Sequence, residues 1–282
     1  MIEIVSELAA MRVRIDEWKR NGLRAGFVPT MGNLHPGHHS LVALTRQHAD
    51  RVVASVFVNP TQFGPGEDFN RYPRTPDADA AGLEAAGCDL LWMPSAETMY
   101  PFGADAAVRM RVPGITDVLE GAHRRGHFDG VVTVVSRLFN QVQPAVAVFG
   151  QKDYQQLAVI RYLVRDLAFP IEVMAAPTKR EADGLAMSSR NQYLSAAQRP
   201  LAASLHRTLL RMRDAIGAGQ PRAEVEDEAR RVLEAEGLVP DYAVIRTQSL
   251  TVPEPGTRDP LVALIAAKLG STRLIDNLEF AV

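Results

Sequence analysis

Along the first 175 residues, short apolar runs alternate with longer amphipathic ones. Residues 25–28, 51–58, 89–93, 146–149 and 171–175 are dense in Val, Ile, Leu and Phe, and most give way to Pro, Asn or Gly. This is the mark of buried strands. Runs that are apolar on both faces suit a parallel sheet covered on two sides. Helical periodicity occupies 38–47, 77–86, 133–142 and 154–166, with Asp77 the expected N-cap of the second, and a further helix is expected at 6–20. Strand, helix, strand, repeated to about residue 175, predicts an α/β fold: a Rossmann-like, doubly wound parallel sheet.

After Pro177 the texture changes. Residues 196–216 and 222–236 are amphipathic and charged, with Gly217-Ala218-Gly219-Gln220-Pro221 between them. Residues 242–246, 261–268 and 273–279 then read as strands, the last two joined at Gly270-Ser271. Two helices followed by a small antiparallel sheet predict a smaller α+β C-terminal domain. The expected division is 1–178 and 179–282. The chain shows no internal repeat, and 253–260 reads as a loop.

Composition narrows the class. With 46% apolar and 23% charged residues, the 282-residue chain is neither disordered nor fibrous. Thirty-one Lys and Arg against 33 Asp and Glu leave a net charge of −2, so there is no bulk field for nucleic acid or an anionic membrane. Glu3, Glu7, Arg12, Arg14, Asp16 and Lys19 interrupt any signal-peptide apolar core, and no run approaches the ~20 residues that span a bilayer. A cytoplasmic location is expected. The single cysteine, Cys88, excludes internal disulfides and a multi-cysteine zinc site, and reads as a buried small hydrophobe.

The candidate chemistry lies in three segments. In 27–38 a strand runs into a turn containing Gly32 and Gly37, and a helix begins near His38. Helix N-termini at the carboxyl ends of parallel strands favour anions. His35 and His38, three apart, can share one face of a first turn and donate to phosphate oxygens. Gly37 removes a Cβ where a base or phosphate must come close. Spacing alone leaves a surface pair or half a zinc site open, but no third ligand is apparent: His39 points elsewhere on a helix and Cys88 is remote. In the second segment, Phe149-Gly150-Gln151-Lys152-Asp153 repeats the strand-to-helix topology and offers an ammonium. In the third, Met187-Ser188-Ser189-Arg190-Asn191 sets two hydroxyls beside a guanidinium, a combination suited to a polyphosphate clamp on a loop.

These segments carry a resemblance. His35-Pro36-Gly37-His38 resembles the HxGH motif of the nucleotidyltransferase superfamily. Pro29-Thr30-Met31-Gly32, the run from Phe57 to Phe63, Glu67-Asp68-Phe69, Tyr72-Pro73-Arg74-Thr75, Gly150-Gln151-Lys152-Asp153, Gln155-Gln156, the run from Asp183 to Asn191 and the run from Gly270 to Asn277 are together similar to the pantothenate synthetase family, in order along nearly the whole chain. The resemblance implies an AMP-forming ligase that couples D-pantoate to beta-alanine using ATP with Mg2+, through a pantoyl adenylate. It implies no tightly bound organic cofactor, no nucleic-acid or membrane partner, and a homodimer.

It further implies roles for single residues. His35, His38 and Lys152 become the catalytic set, with His38 the proton donor toward the leaving group. Met31, Gly32, Asn33, Leu34, His35, Pro36, Gly37 and His38 form the first ATP segment. Gly150, Gln151, Lys152 and Asp153 form the second, with Asp153 near the ribose. Ser188, Ser189 and Arg190 close on the triphosphate, Met187 belongs to the same ATP-binding set, and Lys179 meets adenine through its backbone. Gln62 and Gln156 bind pantoate, Gln62 also borders beta-alanine, and Asn59 supports them. Three positions depart from the family pattern: Lys179 for a small apolar residue, Arg125 for a proline, and Val148 for an aromatic. The competing readings are another HxGH nucleotidyltransferase with a phosphorylated acceptor, a tRNA synthetase, and a non-enzymatic nucleotide-binding module. The first would want extra cations in place of paired glutamines, and the second lacks an anticodon-binding domain.

Overall fold

The computed structural model describes residues 1–281 and divides into two compact units, 1–151 with 156–177, and 152–155 with 178–282. The first unit contains β1 (Glu3–Val5), α1 (Leu8–Arg20), β2 (Ala25–Thr30), α2 (Pro36–Thr45), β3 (Arg51–Val56), α3 (Pro76–Ala85), β4 (Leu90–Trp92), α4 (Ala96–Met99), α5 (Glu120–His123), α6 (His127–Val142), β5 (Val146–Gly150), most of α7 (Tyr154–Asp166) and β6 (Glu172–Ala176). Its six strands are all parallel, in the order β1-β4-β3-β2-β5-β6. This is the doubly wound sheet that the hydrophobic pattern predicts.

Alternate residues of each strand feed opposite faces. Phe27, Val53, Leu90 and Ala147 join Met11, Ile15 and Trp18 of α1 and Phe128, Leu138 and Phe139 of α6 in one core. Val28, Val52, Ala54, Leu91 and Val148 join Leu41 and Val42 of α2 and Leu83 of α3 in the other. Neither face of the central strands meets water, which is why they read as continuous apolar runs.

The second unit holds α8 (Gln198–Ala202), α9 (Ser204–Gly217), α10 (Arg222–Ala235), β7 (Val239–Thr247), β8 (Leu261–Leu269) and β9 (Thr272–Phe280). The strands form an antiparallel β7-β8-β9 sheet, and Leu205, Leu209, Val225 and Leu233 of the helices pack on Ile245, Ala263 and Ile265. The last two strands are joined at Gly270-Ser271 as expected, with Gly270 at φ 61°.

Several local expectations change. Asp77 is not the cap of α3: Thr75 is, and Pro76 occupies the first helical position, so the helix begins a residue earlier. The strand β1 escapes periodicity because it is three residues long. Helix α6 starts at His127, six residues before the expected start at 133, because its first turns contain a glycine and polar residues that are nonetheless buried. The expected helix at 196–216 is two, α8 and α9. Among the described residues no helix is long and apolar enough to cross a membrane.

Candidate nucleotide and acid site

Strand β2 pairs with β3 from Ala25 to Thr30, but with β5 only at Gly26–Val146 and Phe27–Ala147. The strand order reverses between β2 and β5. Beyond Phe27 their carboxyl ends part, and in doubly wound sheets this crevice takes the ligand. The chain leaves β2 there through residues 31–35.

That turn is held from behind by Asp79 of α3, which is 2% exposed. Its carboxylate accepts from the backbone N–H of Asn33 (3.0 Å) and Leu34 (2.8 Å) and from the Thr75 hydroxyl (3.1 Å). Gly32 has φ 82°, and a Cβ on it would lie 2.9 Å from Asp79 Oδ2 and 3.0 Å from Val56 Cγ1. Only glycine both adopts that backbone and leaves the room.

The two imidazoles then act as helix caps. His35 is the N-cap of α2, and its Nδ1 accepts from the Gly37 N–H at 3.1 Å. His38 Nδ1 accepts from the His35 N–H at 3.3 Å. Together they form a capping box made of histidines, with ring centroids 4.1 Å apart. Because a backbone N–H occupies each Nδ1, the proton of each neutral ring sits on Nε2. The helix start thereby selects the tautomer that donates, on two adjacent rings at the positive end of a helix dipole. His39 turns away, as expected, and packs against Gly82 of α3.

Gln62 lies beside this turn, on a 3-10 turn (Pro60–Gln62) after β3, and is 8% exposed. Its Nε2 is 3.0 Å from the Met31 sulfur, so the first ATP segment and one proposed acid ligand are neighbours. Asn59, 1% exposed, positions it. Asn59 Nδ2 donates to Gln62 Oε1 (3.0 Å) and to the Gly130 carbonyl (3.3 Å), and Asn59 Oδ1 accepts from Tyr100 OH (2.6 Å) and Thr61 Oγ1 (3.1 Å). Gly130 is required here because a Cβ on it would run into the Thr61 carbonyl and the Gln62 Cα. Gln156 stands half-buried in the first turn of α7. Gly150 and Gln151 are half-buried at the end of β5, where Gln151 donates its N–H to the Ala176 carbonyl at 2.8 Å.

A second layer holds the Gln62 backbone, and it was not among the residues singled out for function. His127 is buried, and burial, followed by the Arg124 charge, pushes it down to about 4. Arg124 can only donate, so His127 Nε2 accepts from it (3.0 Å), and His127 Nδ1–H donates to the Gln62 carbonyl (2.8 Å). Arg124 also spans both oxygens of Glu67 at 2.8 Å. Burial opposes the Glu67 charge, but Arg124 outweighs it and holds the carboxyl below the usual range. A cleft of about 220 Å3 beside Gln62 is lined by Thr61, Arg109, Arg125, Asp129 and others, and Arg125 stands exposed in its wall. Nothing in sequence spacing marks Asp79 or the Glu67–Arg124–His127 chain. Asp79 is 45 and 46 residues from the two amides it holds, Glu67 is 57 from Arg124, and His127 is 65 from Gln62.

The remaining candidates belong to the second unit. Lys152 is half-buried and Asp153 exposed. Lys179 is exposed, and its carbonyl accepts the Met187 N–H at 2.9 Å. Ser188 caps a 3-10 turn (Ser189–Tyr193), its hydroxyl accepting from the Arg190 N–H at 3.3 Å. Met187, Ser189 and Arg190 are half-buried. Val148 is fully buried in β5 opposite Met174, so its departure from an aromatic is a change within the sheet.

Titration of His127 gives a stability test. Above the ordinary histidine range both folded and unfolded forms are neutral there. Between about pH 6.5 and 4 the unfolded chain takes a proton that the folded one refuses, so stability falls as pH falls. His127→Gln is expected to remove a loss on the order of 1–3 kcal/mol across that window, read as the difference between the two proteins' urea unfolding free energies at pH 7 and pH 4.5. Equal slopes for both proteins would show that His127 titrates as an ordinary histidine.

Comparison with known proteins places the chain. A family model described as pantoate-beta-alanine ligase matches residues 3–279. The pantothenate synthetase of Stenotrophomonas maltophilia (strain R551-3) is 64% identical over 282 residues, 99% of this chain and 100% of that protein. That of Xanthomonas oryzae pv. oryzae (strain PXO99A) is 64% identical over 280 residues, with the same coverage. The crystal structure of pantothenate synthetase from Thermus thermophilus superposes with TM-score 0.92 at 48% identity, covering 98% of this chain and 99% of that one. Pantoate-beta-alanine ligase from Francisella tularensis, complexed with beta-gamma ATP and beta-alanine, gives 0.83 at 30% identity, covering 99% and 97%. With its sheet, its histidine-capped helix and its buried glutamine, the chain belongs to the pantoate-beta-alanine ligase family.

Proposed function

We propose that this chain joins D-pantoate to beta-alanine with cleavage of ATP to AMP and pyrophosphate, through a pantoyl adenylate, as a homodimer in the cytoplasm. The observation that carries the chemistry is the histidine capping box. Two imidazoles, each with Nδ1 committed to a backbone N–H, hold their Nε2 protons at a helix N-terminus in the crevice between β2 and β5. In the first step the pantoate carboxylate attacks the α-phosphorus of MgATP, the bond to the β-phosphate breaks, and pyrophosphate leaves. In the second the neutral beta-alanine amine attacks the acyl carbon, a C–N bond forms, the acyl C–O bond to the phosphate breaks, the nitrogen gives up a proton, and AMP leaves.

The protein's part is positioning and charge stabilisation. His35 and His38 donate to the phosphates, with His38 toward the departing pyrophosphate, and Lys152 supplies a positive charge. Ser188, Ser189 and Arg190 close on the triphosphate. Gln62, set by Asn59 and His127, and Gln156 take the pantoate oxygens without adding charge. Mg2+ arrives with ATP as part of the substrate. Among the described residues no group of three or more His, Cys, Asp or Glu is arranged to hold a metal ion.

The direct test supplies MgATP with each co-substrate. AMP is expected to accumulate with turnover only when pantoate and beta-alanine are both present; transfer of a nucleotidyl group to a phosphorylated acceptor would overturn the reading. Lys152→Ala is expected to raise the adenylation barrier by at least ~2 kcal/mol, measured as the pyrophosphate burst in rapid quench; an unaltered burst contradicts the role given to the ammonium. Gln62→Ala is expected to raise the KM for pantoate at least tenfold and leave ATP binding within about twofold, because the substrate oxygens lose a buried partner. Equal losses for both ligands would remove Gln62 from the acid site.

A further inference from the structure

The family-like run that ends in Asp276-Asn277 has no part in the mechanism above, yet it is tied to both ATP-facing segments of the second unit. Asn277, 5% exposed in β9, donates its side-chain N–H to the carbonyl of Lys152 at 2.8 Å. Asp276, 3% exposed, accepts both terminal nitrogens of Arg180, at 2.7 and 3.0 Å. Arg180 also donates to the carbonyls of Asn277 (3.2 Å) and Gly184 (3.0 Å).

Arg180 stands in the stem of a small hairpin. It bridges Ala186 antiparallel, the Glu181 N–H meets the Leu185 carbonyl at 2.8 Å, and the Met187 N–H meets the Lys179 carbonyl at 2.9 Å. From that stem the chain runs straight into Met187-Ser188-Ser189-Arg190, and the 3-10 turn beyond packs on β9. A third tie fixes the other segment, where Tyr154 OH donates to Glu279 Oε1 at 2.7 Å. An ammonium on a flexible four-carbon stem is useful only if its backbone origin is fixed, and small misplacements cost rate steeply.

We propose that Asn277 is a positioning residue for Lys152, and that Arg180–Asp276 fixes the 179–187 hairpin on the same strand, so that β9 sets the ammonium and the serine–arginine clamp in one frame. The proposal rests on the reading of Lys152 as the triphosphate cation. A strap that merely stabilised the start of α7 would act regardless of the side chain at 152.

The experiment is a double-mutant cycle on the pyrophosphate burst with Asn277→Ala, Lys152→Ala and the pair. Asn277→Ala is expected to slow the burst roughly 10- to 100-fold with the pantoate KM unchanged, and to add less than about twofold once Lys152 is alanine. Independent, multiplicative effects would overturn the positioning role while leaving Lys152 its charge. An unaltered burst in Lys152→Ala alone would instead overturn the reading beneath it. Asn277→Asp, equal in shape but without the donor, carries the same test if the alanine variant does not fold. Asp276→Asn, in a cycle with Arg190→Ala, tests the other arm: a loss that persists in full without Arg190 would show that the ion pair does not act through the clamp.

Discussion

The short pairing between β2 and β5 is the constraint on which the first unit's chemistry depends. Two matched residues are enough to make one sheet, yet they leave the strand ends apart where helix α2 must begin. A helix N-terminus has backbone N–H groups without internal partners. Here two of them are answered by histidine nitrogens, and the two amides just upstream by the buried Asp79. Satisfying the backbone and setting the tautomer of the rings are therefore one event. The fold does not merely bring the imidazoles to the crevice; it decides which nitrogen carries the proton.

The acid side follows the same logic at a greater distance. Gln62 offers an amide, which is neutral and turns readily, so its usefulness depends on what restrains it. Asn59 donates to the amide oxygen while being held in turn by Gly130, Thr61 and Tyr100, and Gly130 lets α6 approach until its backbone touches the turn. His127 fixes the Gln62 carbonyl, and burial together with Arg124 keeps its ring neutral, so the hydrogen bond has one polarity. The Glu67–Arg124 ion pair thus lies one residue back, and the group that touches the Gln62 backbone is a neutral imidazole.

The second unit distributes its cations differently. One of its segments is a hairpin and the other the turn before α7, and the antiparallel sheet ties down both. Adjacent residues of one strand, Asp276 and Asn277, face a guanidinium and a backbone carbonyl that lie 96 and 125 residues away in sequence. A nine-residue strand buried along most of its length is a firmer reference than either loop could be alone.

The sequence by itself determined the order of the main elements and the parallel sheet, and it marked the segments that carry the candidate chemistry. Continuous Val, Ile and Leu runs have few other stable homes, and the His35-Pro36-Gly37-His38, Lys152 and Met187–Arg190 segments each sit where a strand or hairpin opens. The sequence missed β1, whose three residues carry no period. It placed the start of α6 late because burial there is imposed by neighbours, not by pattern. What only the tertiary structure decided is how those groups are held: Asp79 behind the turn, the Glu67–Arg124–His127 chain behind Gln62, and the return of residues 152–155 to the second unit. The reason is physical. Periodicity records which face of an element is apolar, whereas hydrogen bonds between polar residues dozens of positions apart exist only after the chain has closed around them.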